Sequence, residues 1–216
     1  MSEWDRYWSE KKEKSSALFD RVADFYRRRI IPRLLEFFLR RNYDQGALLL
    51  HAGCGSGRVD QDISNRFKLV SLDIAMPALK INTSSRVLVQ GNILELPIKA
   101  NSFDGVYNLG VMEHFTEEEL VSILKEFSRV TKPHAKVTLF WPPVFGTSEI
   151  FLKSVHFILN NIFRRNIKLH PDEITRIKSY KHVKSICDRA GFKITDYYFG
   201  PKDFFTHVVL TLQKDL

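Results

Sequence analysis

The stretch LLLHAGCGSGRVD, residues 48–60, decides the fold class, because an apolar run breaks there into a loop with a glycine at every second position. A strand followed by a glycine-rich turn is how nucleotide-binding α/β folds begin, since glycine lets the backbone turn tightly and approach a ligand. A dinucleotide fold needs a small residue at position 58, which is Arg58, and no Gly-Lys-Ser/Thr follows for a phosphate-binding loop. Taken alone, the loop indicates either a nucleotide-like cofactor or an ordinary tight turn.

Strand-like and helical segments alternate along most of the chain. Seven apolar runs predict strands, at residues 48–52, 68–73, 86–92, 103–109, 136–141, 192–199 and 206–213. Helices are predicted around them, at 15–41, 58–67, 116–130 and 180–190. Thr116 and Glu119 have the spacing of a capping box at the start of the third of these helices. The alternation predicts an α/β fold with a Rossmann-like, doubly wound and mostly parallel sheet of seven strands.

The length of 216 residues is enough for one domain of this kind with additions at its edges. We expect a single domain over residues 1–216, made of four parts in chain order. They are an N-terminal helical cap (1–45), a cofactor-binding core (46–143), a helical insert or lid after the fifth strand (144–178), and a C-terminal helix with the last strands (179–216).

A carboxylate ends the second predicted strand. Asp73 closes the run KLVSLD, about twenty residues after the glycine loop. A carboxylate at that place in a nucleotide-binding sheet can accept hydrogen bonds from both hydroxyls of a ribose. The alternative is that Asp73 serves as the N-cap of a helix or as a turn residue. The loop and Asp73 together favour a ribose-containing cofactor.

Five stretches carry a pattern that extends beyond the loop: LLLHAGCGSG, LVSLDIAMPAL, GNILELPIKANSFDGVYNLGVMEHF, EFSRVTKPHAKVTLFWPP and CDRAGFKITDYY. Together they resemble the class I S-adenosylmethionine-dependent methyltransferases, in the broad group that includes the ubiquinone-biosynthesis methyltransferases. The resemblance covers residues 47–143 and about 180–214. It implies an enzyme with S-adenosyl-L-methionine as its cofactor and direct displacement at the sulfonium methyl group by a nucleophile held in line.

The resemblance also implies a role for each matching position. The backbone of the loop would approach the methionine part of the cofactor, at Gly53, Cys54, Gly55 and Gly57. Asp73 would bind the ribose. The adenine would be contacted by the side chain of Ile74, the amide oxygen of Asn92 and the backbone N–H of Ile93. The end of the fourth strand would line the methyl-donor end at Asn108 and Leu109, with Leu109 alternatively a core residue.

His51 departs from the pattern that the resemblance implies. The family usually has Asp or Glu at this position, where a carboxylate helps to hold the ammonium group of the cofactor. An imidazole can replace part of that hydrogen bonding but not the negative charge. Another acid would then have to compensate, and Asp60, Asp62 and Glu113 are the candidates. The alternative is that His51 is a tolerated residue at the end of a strand.

A second histidine is the candidate catalytic residue. An alcohol or phenol nucleophile needs a base near neutral pH, and histidine is the usual one. His114 follows the fourth strand at the expected catalytic edge, and Glu113 precedes it. The alternative for both is a structural role at the start of the helix that follows.

Composition narrows the class of protein further. The formal net charge is +8, which favours an acidic partner such as a nucleic acid, an anionic membrane or a phosphorylated substrate. Cys54 and Cys187 have no metal-ligand spacing, so we expect neither a metal site nor a disulfide framework. We expect a cytoplasmic protein, because the chain shows no signal-peptide pattern and no stretch of ~20 apolar residues.

The methyl acceptor has to be inferred from segments outside the resemblance. Residues 149–163 place an apolar stripe on one helical face, and RRNIK follows directly; this indicates a lid over the cofactor site or a helix lying on a membrane. We therefore expect a small-molecule or lipid-like acceptor, with peripheral association with an anionic membrane left open. Nucleic acid is the less expected partner, because no base-stacking module is visible. The alternatives are an RNA or protein methyltransferase and a non-catalytic methyltransferase-like scaffold or regulator.

Overall fold

The structure is a computed structural model that describes residues 3–10, 25–147 and 173–214. Its strands form one sheet with the order β3-β2-β1-β4-β5-β7-β6. The strands are β1 (Leu48–Ala52), β2 (Lys68–Asp73), β3 (Val87–Gln90), β4 (Phe103–Leu109), β5 (Thr131–Trp141), β6 (Phe192–Tyr198) and β7 (Val208–Lys214). The prediction of a seven-stranded Rossmann-like sheet is confirmed.

The helices within the described residues are α1 (Glu3–Glu10), α2 (Ile31–Asn42), α3 (Met76–Lys80), α4 (Glu117–Val130) and α5 (Tyr180–Arg189). A π-helical stretch, Tyr26–Ile30, leads directly into α2. The predicted capping box opens α4: the Thr116 side chain accepts a hydrogen bond from the backbone N–H of Glu119, and the Glu119 carboxylate accepts one from the N–H of Thr116. In these described segments no helix has the length and apolar character that crossing a bilayer requires.

The predicted helix over residues 58–67 is wrong. The structure has a short 3₁₀ turn at Arg58–Asp60 and further turns up to residue 66. The segment is rich in Asp, Asn and Ser, whose side chains favour turns over helix interiors. In addition, Asp60 is fully buried, and its carboxylate is bonded to the sheet rather than facing solvent from a helix.

Strand direction decides which loops meet at the functional edge. β1 to β5 run parallel, whereas β7 pairs antiparallel with both β5 and β6. Because Trp141 at the end of β5 pairs with Val208 at the start of β7, the loop before β7 lies at the same edge as the carboxyl ends of the parallel strands. Ligands in open α/β sheets bind outside that edge, where the strand order reverses.

Each face of the sheet is covered by helices, as a doubly wound fold requires. One face buries a large cluster that includes the apolar sides of α4 and α5, such as Leu124 and Ile186. The other face buries α2, including Leu35 and Phe38, against β1, β4 and β5. The division of the chain into a cap, core, insert and C-terminal part stays a prediction. Its insert, with the apolar stripe at 149–163, lies largely outside the described residues, as does the first part of the helix predicted at 15–41.

Candidate active site

A cavity of about 1230 Å³ opens at the carboxyl edge of the sheet. The glycine loop after β1 and the ends of β2 and β4 form its walls on one side. On the other side lie the loops that follow β5 and precede β7, and aromatic residues of α1, including Trp4 and Trp8, contribute as well. The cavity therefore extends from the part of the sheet that the sequence predicts for cofactor binding to the loops that follow β5 and precede β7.

The glycine loop has a backbone conformation that side chains would obstruct. Gly53 and Gly55 have φ values of +77° and +52°, in the left-handed region. A Cβ on Gly53 would lie 2.5 Å from a methyl carbon of Val111, and one on Gly55 would lie 2.8 Å from Cζ2 of Trp8. The backbone N–H groups of Gly53 and Cys54 both donate to the carbonyl of Leu72, which fixes the loop to the end of β2.

Asp73 is placed beside this loop. Its Oδ2 accepts a hydrogen bond from the N–H of Gly55 at 2.7 Å, and its Oδ1 accepts one from the N–H of Ala75 at 2.9 Å. Burial raises the pKa of Asp73, and these backbone hydrogen bonds oppose the rise. Asp73 thus serves the turn, as the structural alternative proposed, and also lines the cavity, as the ribose role requires.

Three residues near the end of β2 and after β3 were predicted to contact adenine, and all line the cavity: Ile74, Asn92 and Ile93. Ile74 is partly exposed there, whereas Ile93 is buried. The amide oxygen of Asn92 already accepts a hydrogen bond from the N–H of Leu94 at 3.0 Å, which leaves it one further lone pair.

His51 belongs to a buried polar group that links β1, the loop and β4. Its Nδ1 is 2.7 Å from Oδ2 of Asp60, and Oδ1 of Asp60 accepts a hydrogen bond from the hydroxyl of Tyr107 at 2.9 Å. The His51 and Tyr107 rings stack with centroids 4.3 Å apart, because the two residues are register partners in β1 and β4. Of the three acids considered from the sequence, Asp60 is the one in contact with His51.

The second ring nitrogen of His51 is the feature that points to a ligand. His51 is 1% exposed and lines the cavity. Its Nε2 is buried and has no hydrogen-bond partner among the described residues. A buried polar atom without a partner costs free energy, so such an atom at a cavity wall suggests a contact with a bound molecule.

Two of the predicted site residues do not line the cavity. Gly57 has a left-handed φ of +63°, and the space that its Cβ would fill is occupied by the side chain of Asn82. Asn108 is fully buried, and its Nδ2 donates to the carbonyl of Ala52, which ties β4 to β1. The remaining predicted residues are at the cavity: His51, Gly53, Cys54, Gly55, Asp73, Ile74, Asn92, Ile93, Leu109 and His114.

His114 and Glu113 lie at the turn after β4 and line the cavity. The His114 ring packs edge-on against Trp4, with centroids 4.9 Å apart. Burial raises the pKa of the Glu113 carboxyl to about 8, and nearby Glu173 adds to the rise. Glu113 Oε2 has no hydrogen-bond partner among the described residues, so this group is a buried carboxylic acid at the cavity wall.

Sequence reasoning missed a histidine in the loop before β7. His207 lines the cavity, and its Nδ1 is 3.0 Å from Oδ2 of the fully buried Asp203. The backbone N–H of His207 donates to the same oxygen at 2.8 Å. The hydroxyl of Tyr26 donates to the carbonyl of Asp203 at 3.3 Å. The four-residue spacing of Asp203 and His207 carries no motif, and only the antiparallel course of β7 brings the pair to this edge.

Comparisons with known proteins find methyltransferases among the similar sequences. Residues 50–139 match a family model described as a methyltransferase domain. A probable tRNA methyltransferase 9B of Mus musculus is 29% identical over 112 residues, which is 50% of this chain and 24% of that protein. The matched half of this chain therefore spans about a quarter of the length of that relative. A demethylmenaquinone methyltransferase of Bacillus licheniformis is 24% identical over 177 residues, 73% of this chain and 75% of that protein.

A solved structure supports the fold over nearly the whole chain. Magnesium protoporphyrin IX methyltransferase from Synechocystis PCC 6803, with bound SAH, is similar with a TM-score of 0.68 and 14% identity, covering 98% of this chain and 94% of that one. The matched residues include the glycine loop, Asp73 and the end of β4. Residues 50–139 therefore match a methyltransferase domain, and they lie in a fold similar to that of a methyltransferase structure with bound SAH.

Proposed function

We propose that this chain transfers a methyl group from S-adenosyl-L-methionine to a small or lipid-linked acceptor. The observation that carries the proposal is the position of the glycine loop and the Asp73 carboxylate, which line one cavity and are joined by the hydrogen bond from Gly55. The cofactor would supply an electrophilic methyl group on its sulfonium. The chain would supply alignment of the acceptor and exclusion of water.

The cavity residues fit this cofactor. Asp73 keeps lone pairs for ribose hydroxyls after accepting its two backbone hydrogen bonds. Gly53 and Gly55 line the cavity in a left-handed backbone conformation, and the side chains of Val111 and Trp8 pack closely against them. Nε2 of His51 would accept a hydrogen bond from the ammonium of the cofactor, and Asp60 would supply the negative charge behind the imidazole. The carboxylate expected at position 51 would thus be replaced by a histidine and a carboxylate in series.

Two histidines are candidates for the base that an alcohol or phenol acceptor needs. His114 is the candidate from the sequence, and it lines the cavity after β4. His207 is a second candidate, because a hydrogen bond from Nδ1–H to Asp203 would leave the Nε2 lone pair available for a proton. The acceptor would then lie on the β5–β7 side of the cavity, away from Asp73.

The class of acceptor rests on the side chains that line the cavity. Aromatic residues contribute to the cavity wall, including Trp4, Tyr7, Trp8 and Phe204, which suits an apolar or aromatic acceptor. The similarity to a demethylmenaquinone methyltransferase points the same way, whereas the similarity to a probable tRNA methyltransferase and the net charge of +8 support the RNA alternative. The His51 replacement supports the alternative of a non-catalytic scaffold.

Transfer of a radiolabelled methyl group separates these alternatives. The protein would be incubated with methyl-labelled S-adenosyl-L-methionine and, separately, a lipid extract, a pool of small metabolites and unmodified tRNA transcripts. We expect label in the organic-solvent or small-molecule fraction, and we expect Asp73→Asn to reduce it about tenfold when the cofactor is limiting. Label in acid-precipitable tRNA would establish the RNA alternative instead. Cofactor binding without transfer to any pool would support the scaffold.

A further inference from the structure

The loop before β7 holds two consecutive aromatic residues in a strained backbone conformation. Phe204 and Phe205 have φ values of +58° and +59°, in the left-handed region that residues other than glycine rarely occupy. Both side chains are nevertheless exposed, by 60% and 41%. A strained backbone that presents large apolar side chains to solvent is a reason to look for a function, because neither feature stabilises the folded chain.

Several hydrogen bonds hold this loop in place. The N–H of Phe205 donates to the carbonyl of Gly200 at 2.9 Å, and the N–H of Thr147 donates to the carbonyl of Phe205 at 3.0 Å. The hydroxyl of Thr147 donates to the carbonyl of Phe204. The loop is therefore fixed by contacts with the segment after β5, and the exposure of the two rings is not that of a loose terminus.

The two rings belong to a larger exposed apolar surface. Phe145 is 44% exposed and packs edge-on against Phe199, with centroids 5.1 Å apart. Phe199 in turn packs against Phe205 at 5.4 Å. We call the exposed residues of this surface the aromatic patch; its members are Val144, Phe145, Phe204 and Phe205. Because Phe204 also lines the cavity, the patch lies at the cavity mouth.

Basic residues border the aromatic patch. Lys202 is in the same loop, exposed, and its Nζ lies 4.1 Å from the centre of the Phe37 ring on α2. Arg33 is four residues before Phe37 on the same helix, so both lie on one face, and both are exposed. The hydrogen bond from Tyr26 to Asp203 joins the loop to the stretch Tyr26–Ile30, which carries exposed arginines at 27–29.

We propose that the aromatic patch and its basic border dock on the surface of an anionic lipid bilayer, with the cavity mouth toward the membrane. Aromatic rings beside basic side chains match the interfacial region, where rings enter the headgroup boundary and cations meet lipid phosphate and carboxylate groups. The net charge of +8 adds a general attraction. The proposal extends the lipid-linked half of the proposed function, since an acceptor in the bilayer could reach the cavity from this side.

RNA is a poorer match for this surface. Base recognition by aromatic side chains uses ring faces that are free to stack on bases. Here the rings of Phe145 and Phe205 are each packed against Phe199, at interplanar angles of 86° and 67°, so neither stands apart as a separate stacking platform.

Co-sedimentation with vesicles tests the proposal without any acceptor. Vesicles of phosphatidylcholine with ~30% phosphatidylserine would be compared with pure phosphatidylcholine, at ~0.1 M and ~0.5 M NaCl. We expect binding to the anionic vesicles at low salt and its loss at high salt. Lys202→Gln should weaken it about fivefold, and Phe145→Ser by a similar factor. Val87→Ser, at an equally exposed apolar residue on the opposite edge of the sheet, is the matched control and should bind normally.

Phe204→Gly separates docking from folding. Glycine relieves the left-handed strain, so the melting temperature should stay the same or rise by about 2–4 °C while vesicle binding falls. Retained binding in both Phe145→Ser and Phe204→Gly overturns the proposal. The proposal is also overturned if the wild-type protein does not bind anionic vesicles, or if it binds tRNA through the same residues instead. A dimer that buries the aromatic patch and that Phe145→Ser dissociates would overturn it too. Binding of S-adenosylhomocysteine to Phe145→Ser, measured alongside, shows whether the proposed function stands independently.

Discussion

Replacement of Asp60 by alanine should destabilise this protein more than any exposed substitution nearby. Asp60 is fully buried and accepts two hydrogen bonds, from His51 Nδ1 at 2.7 Å and from the Tyr107 hydroxyl at 2.9 Å. A hydrogen bond to a carboxylate contributes about 1.5–3 kcal/mol, and alanine leaves both buried partners unsatisfied. The expected decrease in the free energy of unfolding is therefore about 3–6 kcal/mol, against a total of ~5–15 kcal/mol for a domain.

Urea unfolding followed by circular dichroism measures this effect. Asp62→Ala is the matched control, because Asp62 lies two residues further along the same turn and is exposed. It should change the free energy of unfolding by no more than about 0.5 kcal/mol. If the free energies of unfolding of Asp60→Ala and Asp62→Ala differed by less than ~1 kcal/mol, the buried hydrogen bonds between the turn and the sheet would contribute little to stability. The role given to His51 would then be wrong as well.

Three further variants test the groups around the cavity. His51→Asp should lower the free energy of unfolding by about 1–3 kcal/mol, because a second carboxylate would face Asp60. Adding Asp60→Asn should restore most of this loss. If the His51→Asp single variant has the free energy of unfolding of the wild type, the contact between the two residues is wrong. Glu113 has a pKa raised from 4.5 to about 8 by burial, so its stabilising effect is complete below pH 4.5 and is lost as pH rises toward 8. Glu113→Gln should remove that loss in urea titrations at several pH values, and an identical pH slope in the variant would refute the assignment. Nitrogen NMR should show that the neutral His207 ring carries its proton on Nδ1, and that Asp203→Asn loses this tautomer. If the proton of the wild-type ring is on Nε2 instead, His207 is excluded as a base.

The parts of the fold that sequence could predict are those set by local chemistry. Strand runs such as 48–52 and 68–73 are apolar because both faces of the sheet are covered, and the Thr116 capping box needs only neighbours within one turn. The same reasoning gave a wrong prediction, a helix, for residues 58–67. The hydrogen bonds of Asp60 with His51 and Tyr107 are long-range, and they act in the same direction as the turn preference of the Asp, Asn and Ser side chains in this segment.

The candidate site divides in the same way. The loop and Asp73 could be paired from the sequence, because consecutive parallel strands bring their carboxyl ends together. The contact of Asp60 with His51 could be suspected but not chosen over Asp62 or Glu113, since the choice depends on how the turn after Gly57 folds back. Asp203 and His207 reach the cavity through the antiparallel course of β7, a tertiary feature without a local signature.

The most direct test of the central claim is a calorimetric titration with S-adenosyl-L-methionine of the wild type, Asp73→Asn and Asp104→Asn. Asp104 is the matched control, because its carboxylate also accepts a backbone N–H at the sheet, from Leu48, but at the opposite end of β1. We expect saturable binding to the wild type and to Asp104→Asn, and affinity at least about tenfold weaker for Asp73→Asn, the equivalent of one lost hydrogen bond to a charged group. The claim is contradicted if the folded wild type binds no cofactor at ~1 mM, since a Kd of that size corresponds to a binding free energy of only ~4 kcal/mol. Equal affinity of all three proteins for the cofactor contradicts it as well.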